Sequence, residues 1–474
     1  MKLSKIVPRN ENFADWYTSV VMAAKLALYT EIKGEMIFQP NGWAIWSNIQ
    51  KELDQRFKKY GILNVALPSF IKMSEFTKEK EHIEGFAPET FLVTHIGNKP
   101  LEESYILRPT SEVVFCYYFK KILSSYNDLP IKYNQWCNVF RAEKTTRPFL
   151  RTSEFFWHEL HTLHATQIEA EEQAVTMINE YYDFVTKFLC IPVLKGEKTE
   201  GERFAGAEHT YTIEAIMQDG QALQCGTSHY LGQGFAKTYD ITFQDKNNKL
   251  STPYQTSAGV STRLIGAIIM SHSDDHGLVL PFNVAPVQVA LLPLFVNKNP
   301  EIMDVVKKIE SELQSKNIIT KVDSSDKSFG FKLSEQEVLG TPFSIIFGPK
   351  DIANNECTIF RRDTLEKIQC NINSVVDKII SLSKEYDNCL FNKAKANMMQ
   401  RTISINTKEE FIKAISENKL IIAPWGGNPD DEANLKKETG VTTRCIKEEI
   451  KDDNTKCFFT GKKAKYLVYF ARAY

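Results

Sequence analysis

Two prolines within six residues, in Pro281-Phe282-Asn283-Val284-Ala285-Pro286, constrain the fold of this chain more than any other feature. Proline lacks a backbone N–H and pushes its predecessor out of the helical region, so no helix runs through the stretch and the chain divides there. Upstream, helical stretches such as Asp15 to Ile32 and Ala165 to Leu189 mix with strand-like runs such as Thr210 to Ile216, without regular alternation. That pattern predicts an α+β layer on a largely antiparallel sheet. Downstream, a buried-strand run (Val287 to Leu292), a helical stretch (Asn299 to Lys316), a strand (Ile318 to Val322) and the apolar run Phe343 to Phe347 follow one another. This alternation predicts a small α/β domain with a mixed sheet. From about Ile403 come a helix (Lys408 to Glu417), a strand (Leu420 to Ala423), a loop rich in Gly, Asn and Asp, and a last strand (Tyr466 to Phe470). At 474 residues, two or three domains are expected.

The 58 basic and 59 acidic residues give a formal net charge of −1, so any nucleic-acid contact must come from local patches rather than a global field. The apolar run Leu264 to Met270 is too short to span a bilayer, and Met1 to Lys5 leads into Pro8-Arg9-Asn10 with no apolar leader, so neither a membrane segment nor a signal peptide is expected. Nine scattered cysteines suit reduced thiols and a cytoplasmic location.

Five constellations carry chemistry. Read alone, Leu107-Arg108-Pro109-Thr110-Ser111-Glu112 is a helix start, with Thr110 or Ser111 capping the first turn and Glu112 complementing the dipole. Phe140-Arg141-Ala142-Glu143 and Pro148 to Trp157 predict two strands joined by a cationic turn. Arg141, Arg147 and Arg151 repel one another on a shared face unless an anion is present, and guanidinium forks pair with phosphate oxygens. Composition leaves two readings open: a polyphosphate site with Phe155 against a base, or a solvated hairpin with Phe155, Phe156 and Trp157 in the core. His158-Glu159-Leu160-His161 is one residue short of the H-E-x-x-H zinc spacing, so no metal is expected, and His161 either orients a pocket or sits in the core. In Gln224-Cys225-Gly226-Thr227-Ser228-His229 the glycine admits a ligand close to the backbone, whereas a Cys225–His229 nucleophile lacks a third, orienting group. The strongest signal is Gly259 to Met270, where Arg263 opens an otherwise apolar helix; a guanidinium on a buried face needs an anion, and phosphate is the economical candidate.

In this order the five pieces resemble the catalytic domain of class II aminoacyl-tRNA synthetases and, within them, the prolyl-tRNA synthetase family. Gly34 to Gln39, Asn41 to Trp46 and Pro68 look like the first motif, which implies a helix and strand at a homodimer interface. Phe140 to Phe155 looks like the second motif, and Gly259 to Gly266 like the third, with its arginine at Arg263. Thr110-Ser111-Glu112 and Gly226 to His229 resemble signatures of the prolyl family, and the likeness extends to Tyr474. The resemblance implies an α+β class: an antiparallel-sheet catalytic domain over 1–284, an anticodon-binding α/β domain over 285–395 and a small α+β C-terminal domain over 400–474.

The implied activity is formation of prolyl-adenylate from L-proline and ATP with Mg2+, then transfer to the 3′ end of tRNA(Pro). By the same resemblance, Thr110, Glu112, Arg141 and His229 hold proline, Trp157, Glu159 and His161 shape its pocket, and Phe204 closes it. ATP falls to Arg141, Arg151, Thr152, Gln224, Thr227, Ser261 and Arg263, with Phe155 under the adenine; Arg141 and Arg263 are the catalytic pair. Glu337 and the basic residues near Lys367 would read anticodon bases. Arg263 follows Arg141 by 122 residues, which leaves no room for an editing insertion and looks like the archaeal/eukaryotic type. The chain departs from the family at Ser153 and Ser344, where relatives carry arginine, and at Cys225, commonly Gly or Ala. In the last block Trp425 to Asp431 and Phe458 to Thr460 replace two cysteine pairs, leaving Cys445 and Cys457, so no structural zinc is expected. Two alternatives remain: a synthetase for glycine, threonine or histidine, and a catalytically silent paralogue, against which Arg141, Arg151 and Arg263 all stand.

Overall fold

The computed structural model describes residues 5–78 and 90–474; the run Met1 to Ser4, part of the stretch read as lacking a leader, lies outside them. The first helix, α1 (Phe13–Ala23), is shorter than the expected Asp15 to Ile32, and Ala27–Tyr29 pairs with Met36–Phe38 as a hairpin. The physical reason is a left-handed stop at Lys25 (φ 53°), where Lys25 N–H donates to Met22 O and Leu26 N–H to Val21 O. The second helix, α2 (Pro40–Lys58), starts on a proline, where the missing N–H costs nothing, and α3 (Glu112–Ile122) follows the 99–107 strand.

The central sheet contains strand Leu63–Asn64 and six longer strands: β1 (Ile131–Phe140), β2 (Glu154–His164), β3 (Val193–Glu197), β4 (His209–Ile216), β5 (Ala222–Gly232) and β6 (Tyr254–Ser261). Their spatial order is 63–64, β1, β2, β6, β5, β4, β3. The first pair is parallel and every other pair antiparallel, as the irregular helix–strand mixture predicts. Because strand side chains alternate, Leu160, Ile213, Ala215, Ala258 and Val260 enter one core together with Met177 and Tyr181 of α4 (Gln167–Lys187) and Leu264 and Ile268 of α5 (Arg263–His272). Each fully buried Leu, Ile, Val or Met side chain among them contributes about 1.5–3 kcal/mol. The intervening residues are left for the opposite face, where the site lies.

Residues 281–286 form turns without helix. Beyond them lie β7 (Val289–Pro293), α6 (Ile302–Ser315), β8 (Thr320–Val322), α7 (Phe329–Leu339), β9 (Phe343–Phe347), β10 (Glu356–Arg361) and β11 (Lys367–Asn371). The five strands form a mixed sheet of order β8, β7, β9, β10, β11, parallel across β8–β7–β9 and antiparallel thereafter. The 27-residue α8 (Val375–Arg401) leads to a third sheet. It comprises β12 (Thr402–Ser404), β13 (Leu420–Trp425), β14 (Thr442–Glu449) and β15 (Tyr466–Ala471), in the order β12, β13, β15, β14, with α9 (Lys408–Ser416) and α10 (Pro429–Thr439). Among the described residues no helix is long and apolar enough to cross a membrane.

Candidate active site

Strand register builds the site. His161, Ser257, His229 and Thr210 stand in one row across β2, β6, β5 and β4; Glu159, Gly259, Thr227 and Thr212 form the next row. A register shift skips Cys225, so Gln224 pairs with Glu214 and continues the site face while Cys225 turns into the core. Above this floor two adjoining cavities open, of about 260 and 120 Å³, with Arg141, Trp157, Gln224, Thr227 and Gly259 common to both.

All eight residues expected to hold proline (Thr110, Glu112, Arg141, Trp157, Glu159, His161, Phe204 and His229) line the larger cavity. Glu159 is locked: its Oε1 accepts from Ser111 N at 2.8 Å, and its Oε2 accepts from Gln135 Nε2 at 3.2 Å and from the Ser111 hydroxyl. Burial pushes this carboxyl up, but His161 and Ser111 outweigh it and hold the group down at about 2. The Thr110 hydroxyl lies 2.5 Å from Glu112 Oε2 and 3.1 Å from Glu159 Oε1, with one proton to give to either. His161 stacks on Phe115 at 4.1 Å between ring centroids. His229 contacts Thr210 Oγ1 at 3.1 Å through Nδ1 and faces the Phe204 ring at 4.6 Å. Burial, with His161 and Lys198 nearby, pulls His229 down to about 3, so it is neutral at pH 7.

The eight residues expected around ATP (Arg141, Arg151, Thr152, Phe155, Gln224, Thr227, Ser261 and Arg263) line the smaller cavity. The Arg141 guanidinium sits 5.4 Å from the Phe155 ring and 5.3 Å from the Trp157 ring, and its Nε donates to Pro109 O at 3.0 Å. Both rings are half-buried, which places them at the cavity wall rather than in the core. Arg151 pairs with Glu143 at 3.2 Å, and Arg263 donates from Nε to Leu150 O at 3.1 Å. Burial, then the like charges of Arg151 and Arg141, lower Arg263 to about 10. Three guanidinium groups thus share a pocket with one carboxylate, an arrangement that attracts a polyanion.

One sequence reading, the helix cap, needs correction. Ser111 precedes α3, yet no side chain caps that helix; the Ser111 and Thr110 hydroxyls are directed at Glu159 and Glu112 instead. His158 and His161 project to opposite faces because they lie three apart on a strand, and His158 bonds Asn134 and Tyr181 within the core. Ligand-type atoms do converge elsewhere: those of Glu112, Glu159 and His161 lie within 4.8 Å of one another, although the Glu159 oxygens already accept from Ser111 and Gln135. Finally, Cys225 is buried away from His229, its thiol pushed up to about 12, so it forms no nucleophile pair.

Other lining residues escaped the sequence. Ser257, Lys198 and Glu202 face the larger cavity, and Glu143 and Leu150 the smaller. Ser257 was legible, since it stands two residues before Gly259 on the same strand face, and its buried Oγ has no hydrogen-bond partner among the described residues. Lys198 and Glu202 carry no local signal. Glu337 and Lys367 are not brought together. Glu337 lies in the last turn of α7, with its carboxylate 3.7 Å from His276 and its carbonyl accepting from Arg362 Nε, whereas Lys367 lies over Phe329 at the other end of that helix, about 12 Å away along its axis. Arg361 ends β10, and Arg362 and Asp363 lie in the turn beyond it. All nine cysteines are free; Cys445 lies against Gly196 and Cys457 in the core around Trp425 and Phe458.

Three family models match. Residues 91–272 match the tRNA synthetase class II core domain (G, H, P, S and T), residues 288–382 the anticodon binding domain, and residues 408–474 the prolyl-tRNA synthetase C-terminal domain. The chain is 52% identical over 473 residues to a proline–tRNA ligase of Ureaplasma urealyticum, covering 100% of this chain and 99% of the relative. It is 49% identical over 474 residues to that of Mesoplasma florum, covering 100% of both. Among solved structures, a prolyl-tRNA synthetase from Cryptosporidium parvum complexed with halofuginone and AMPPNP is similar with a TM-score of 0.94 at 35% identity, over 100% of this chain and 98% of that one.

Proposed function

The chain belongs to the prolyl-tRNA synthetases of class II, and on that footing we propose how its residues divide the reaction. It is a proline–tRNA ligase, which activates L-proline with ATP to prolyl-adenylate and passes the prolyl group to the 3′ end of tRNA(Pro). Proline occupies the larger cavity and ATP the smaller. The observation that carries this assignment is Arg141, the one cation among the described residues that lines both.

A proline carboxylate is ionised at neutral pH, so attack on the α-phosphate needs no general base; the protein positions the reactants and neutralises charge. Arg141 pairs with the carboxylate and the α-phosphate together. Arg151 and Arg263 meet the remaining phosphates, with Thr152, Gln224, Thr227 and Ser261 supplying hydrogen bonds and Phe155 stacking on adenine. The polyphosphate relieves the mutual repulsion that lowers Arg263. Glu112, supported by Thr110, receives the secondary ammonium, and neutral His229 adds no opposing charge. Trp157, Phe204, His161 and the locked Glu159 shape the walls. Mg2+ offsets phosphate charge when bound; Glu143, the carboxylate of the smaller cavity, suits it, because Mg2+ is commonly held by one or two carboxylates plus phosphate oxygens.

The remaining assignments rest on the same family membership. Residues 1–284, 285–395 and 400–474 are taken as catalytic, anticodon-binding and C-terminal domains, with Glu337 and Lys367 contacting the anticodon. The 122 residues between Arg141 and Arg263 support a chain of the archaeal/eukaryotic type without an editing insertion. Exposed Leu28, Tyr29, Ile37 and Trp43 support a homodimer through the first motif. The enzyme works in the cytoplasm, and two cysteines in the last block cannot close a zinc tetrahedron.

The test is amino-acid-dependent ATP–pyrophosphate exchange. Proline supports exchange, and glycine, threonine and histidine do not. Arg141→Ala costs about 3 kcal/mol of transition-state stabilisation, roughly a hundredfold in rate. A rate within about threefold of wild type removes Arg141 from the role.

A further inference from the structure

Part of the wall of the larger cavity is backed by the C-terminal sheet. Residues 198–204 bring Lys198, Glu202, Arg203 and Phe204 to the cavity, yet little of this segment is regular structure, and it is held from two sides. On the catalytic side, Lys198 N donates to Thr210 O and Phe204 N to Thr210 Oγ1, the atom that also meets His229. On the other side stands the C-terminal sheet. Glu214 of β4, fully buried, accepts from Lys198 Nζ on Oε1 at 2.9 Å, and on Oε2 from Arg444 of β14 through Nη2 at 2.8 Å and Nε at 3.2 Å. One residue along, Thr199 Oγ1 lies 2.9 Å from Glu432 Oε2 of α10 and 2.6 Å from Thr443 Oγ1 of β14. The approach is close enough that a Cβ on Gly196 would stand 2.4 Å from Ile446 O.

No residue of the C-terminal sheet lines the cavity, so any influence on substrate passes through these contacts. Lys198 and Arg444 compete for one carboxylate. With Arg444 present, each cation has one oxygen of Glu214, which fixes Lys198 at the cavity edge and leaves the buried trio one positive charge in excess. Without Arg444, Glu214 Oε2 loses its partner, and the Lys198–Glu214 pair is free to reorganise and drag residues 199–204 with it.

We propose that Arg444 is a positioning residue for proline: through Glu214 and Lys198, and with Glu432 and Thr443 on Thr199, the C-terminal sheet holds residues 198–204 in the shape that binds the amino acid. The inference rests on the reading of the larger cavity as the proline site. The network acts more on proline affinity than on ATP affinity: it makes no hydrogen bond to the smaller cavity's arginines and reaches that side only through the Glu214–Gln224 strand pair and the Glu214 charge acting on Arg263.

The test uses the full chain in proline-dependent ATP–pyrophosphate exchange. Arg444→Met raises the KM for proline about tenfold, a size typical of coupling through such contacts, while kcat and the KM for ATP stay within about twofold. Arg444→Lys, which keeps the charge but not the fork, recovers part of the loss. Glu112→Gln is measured alongside. If it leaves the proline KM unmoved, the cavity assignment itself is wrong; if it raises that KM while Arg444→Met does not, only the role of Arg444 falls. A Met variant that raises both KM values or lowers kcat in step with them marks Arg444 as a general structural residue and overturns the inference. Should Arg444→Met not accumulate folded, Thr199→Val replaces it, deleting one hydroxyl between Glu432 and Thr443; an unchanged proline KM there overturns it equally.

Discussion

Arg263 donates from Nε to the carbonyl oxygen of Leu150 at 3.1 Å, which ties the first turn of α5 to the loop between β1 and β2. One turn on, Gly266 makes the room this contact needs. A Cβ there would lie 2.3 Å from Leu150 Cδ2 and 3.1 Å from the Tyr17 hydroxyl, which itself donates to Pro148 O at 2.6 Å. Gly266→Ala therefore pushes both supports of the loop. Overpacking of this kind costs about 1–3 kcal/mol of stability. The KM for ATP should rise several-fold, with the proline KM little changed; a wild-type ATP KM in a folded Gly266→Ala enzyme contradicts the account.

Phe155 lies at the edge of the smaller cavity, with the Arg141 guanidinium over its ring. If it carries the adenine, Phe155→Ala removes a stacking surface worth about 1–3 kcal/mol, or roughly fivefold to somewhat over a hundredfold in ATP affinity. Phe155→Tyr keeps the surface and retains most of the affinity. Equal ATP KM values for the Ala and Tyr variants would put adenine elsewhere.

Much of this site was readable because it is built on strands. The alternation that sends Leu160 and Val260 to the core sends Glu159, His161 and Ser261 to the ligand side, and Arg263 stands out as a cation heading an apolar helix. What escaped depended on geometry without local residue signals. The stop of α1 uses Lys25 at a left-handed position usually marked by glycine, so the helix read too long. Thr110 and Ser111 look like helix caps because nothing nearby in sequence reveals that Glu159, some fifty residues on, accepts from the Ser111 hydroxyl, while the Thr110 hydroxyl lies between Glu112 and Glu159. Lys198 and Glu202 carry no local signal, because the segment that brings them to the cavity is held partly through Thr199 by Glu432 and Thr443, more than two hundred residues later.

Buried histidines give the fold a pH dependence with a definite sign. Burial pulls His158, His164 and His229 down to about 3 and His272 to about 4. The unfolded chain binds these protons near pH 6.5 and the folded chain does not until pH 3–4, so their contribution is complete above about 6.5 and is lost as pH falls. Each histidine forfeits up to about 2 kcal/mol by pH 5. Urea midpoints at pH 7 and pH 5 check this: the lower pH gives a clearly lower midpoint, and equal midpoints refute the neutral assignment.

The junction between the first two sheets offers the sharpest stability test. Arg362, fully buried just beyond β10, forks onto Asp274 with Nη1 to Oδ2 at 2.8 Å and Nη2 to Oδ1 at 2.6 Å, while its Nε donates to Glu337 O at 2.8 Å. Burial raises the Asp274 carboxyl, but Arg362 outweighs this and holds it below its ordinary value. Removing one partner of such a pair strands the other: Asp274→Ala leaves a guanidinium without its counter-charge, a loss of about 3–5 kcal/mol. Removing both does not incur that penalty, so Asp274→Ala combined with Arg362→Leu should recover a large part of the lost stability, with a residual cost from the orphaned Glu337 carbonyl. Urea denaturation of the wild type, the two single variants and the double variant closes the cycle. A double variant no more stable than Asp274→Ala alone would mean that the fork is incidental and that packing around Arg362 holds the two sheets together.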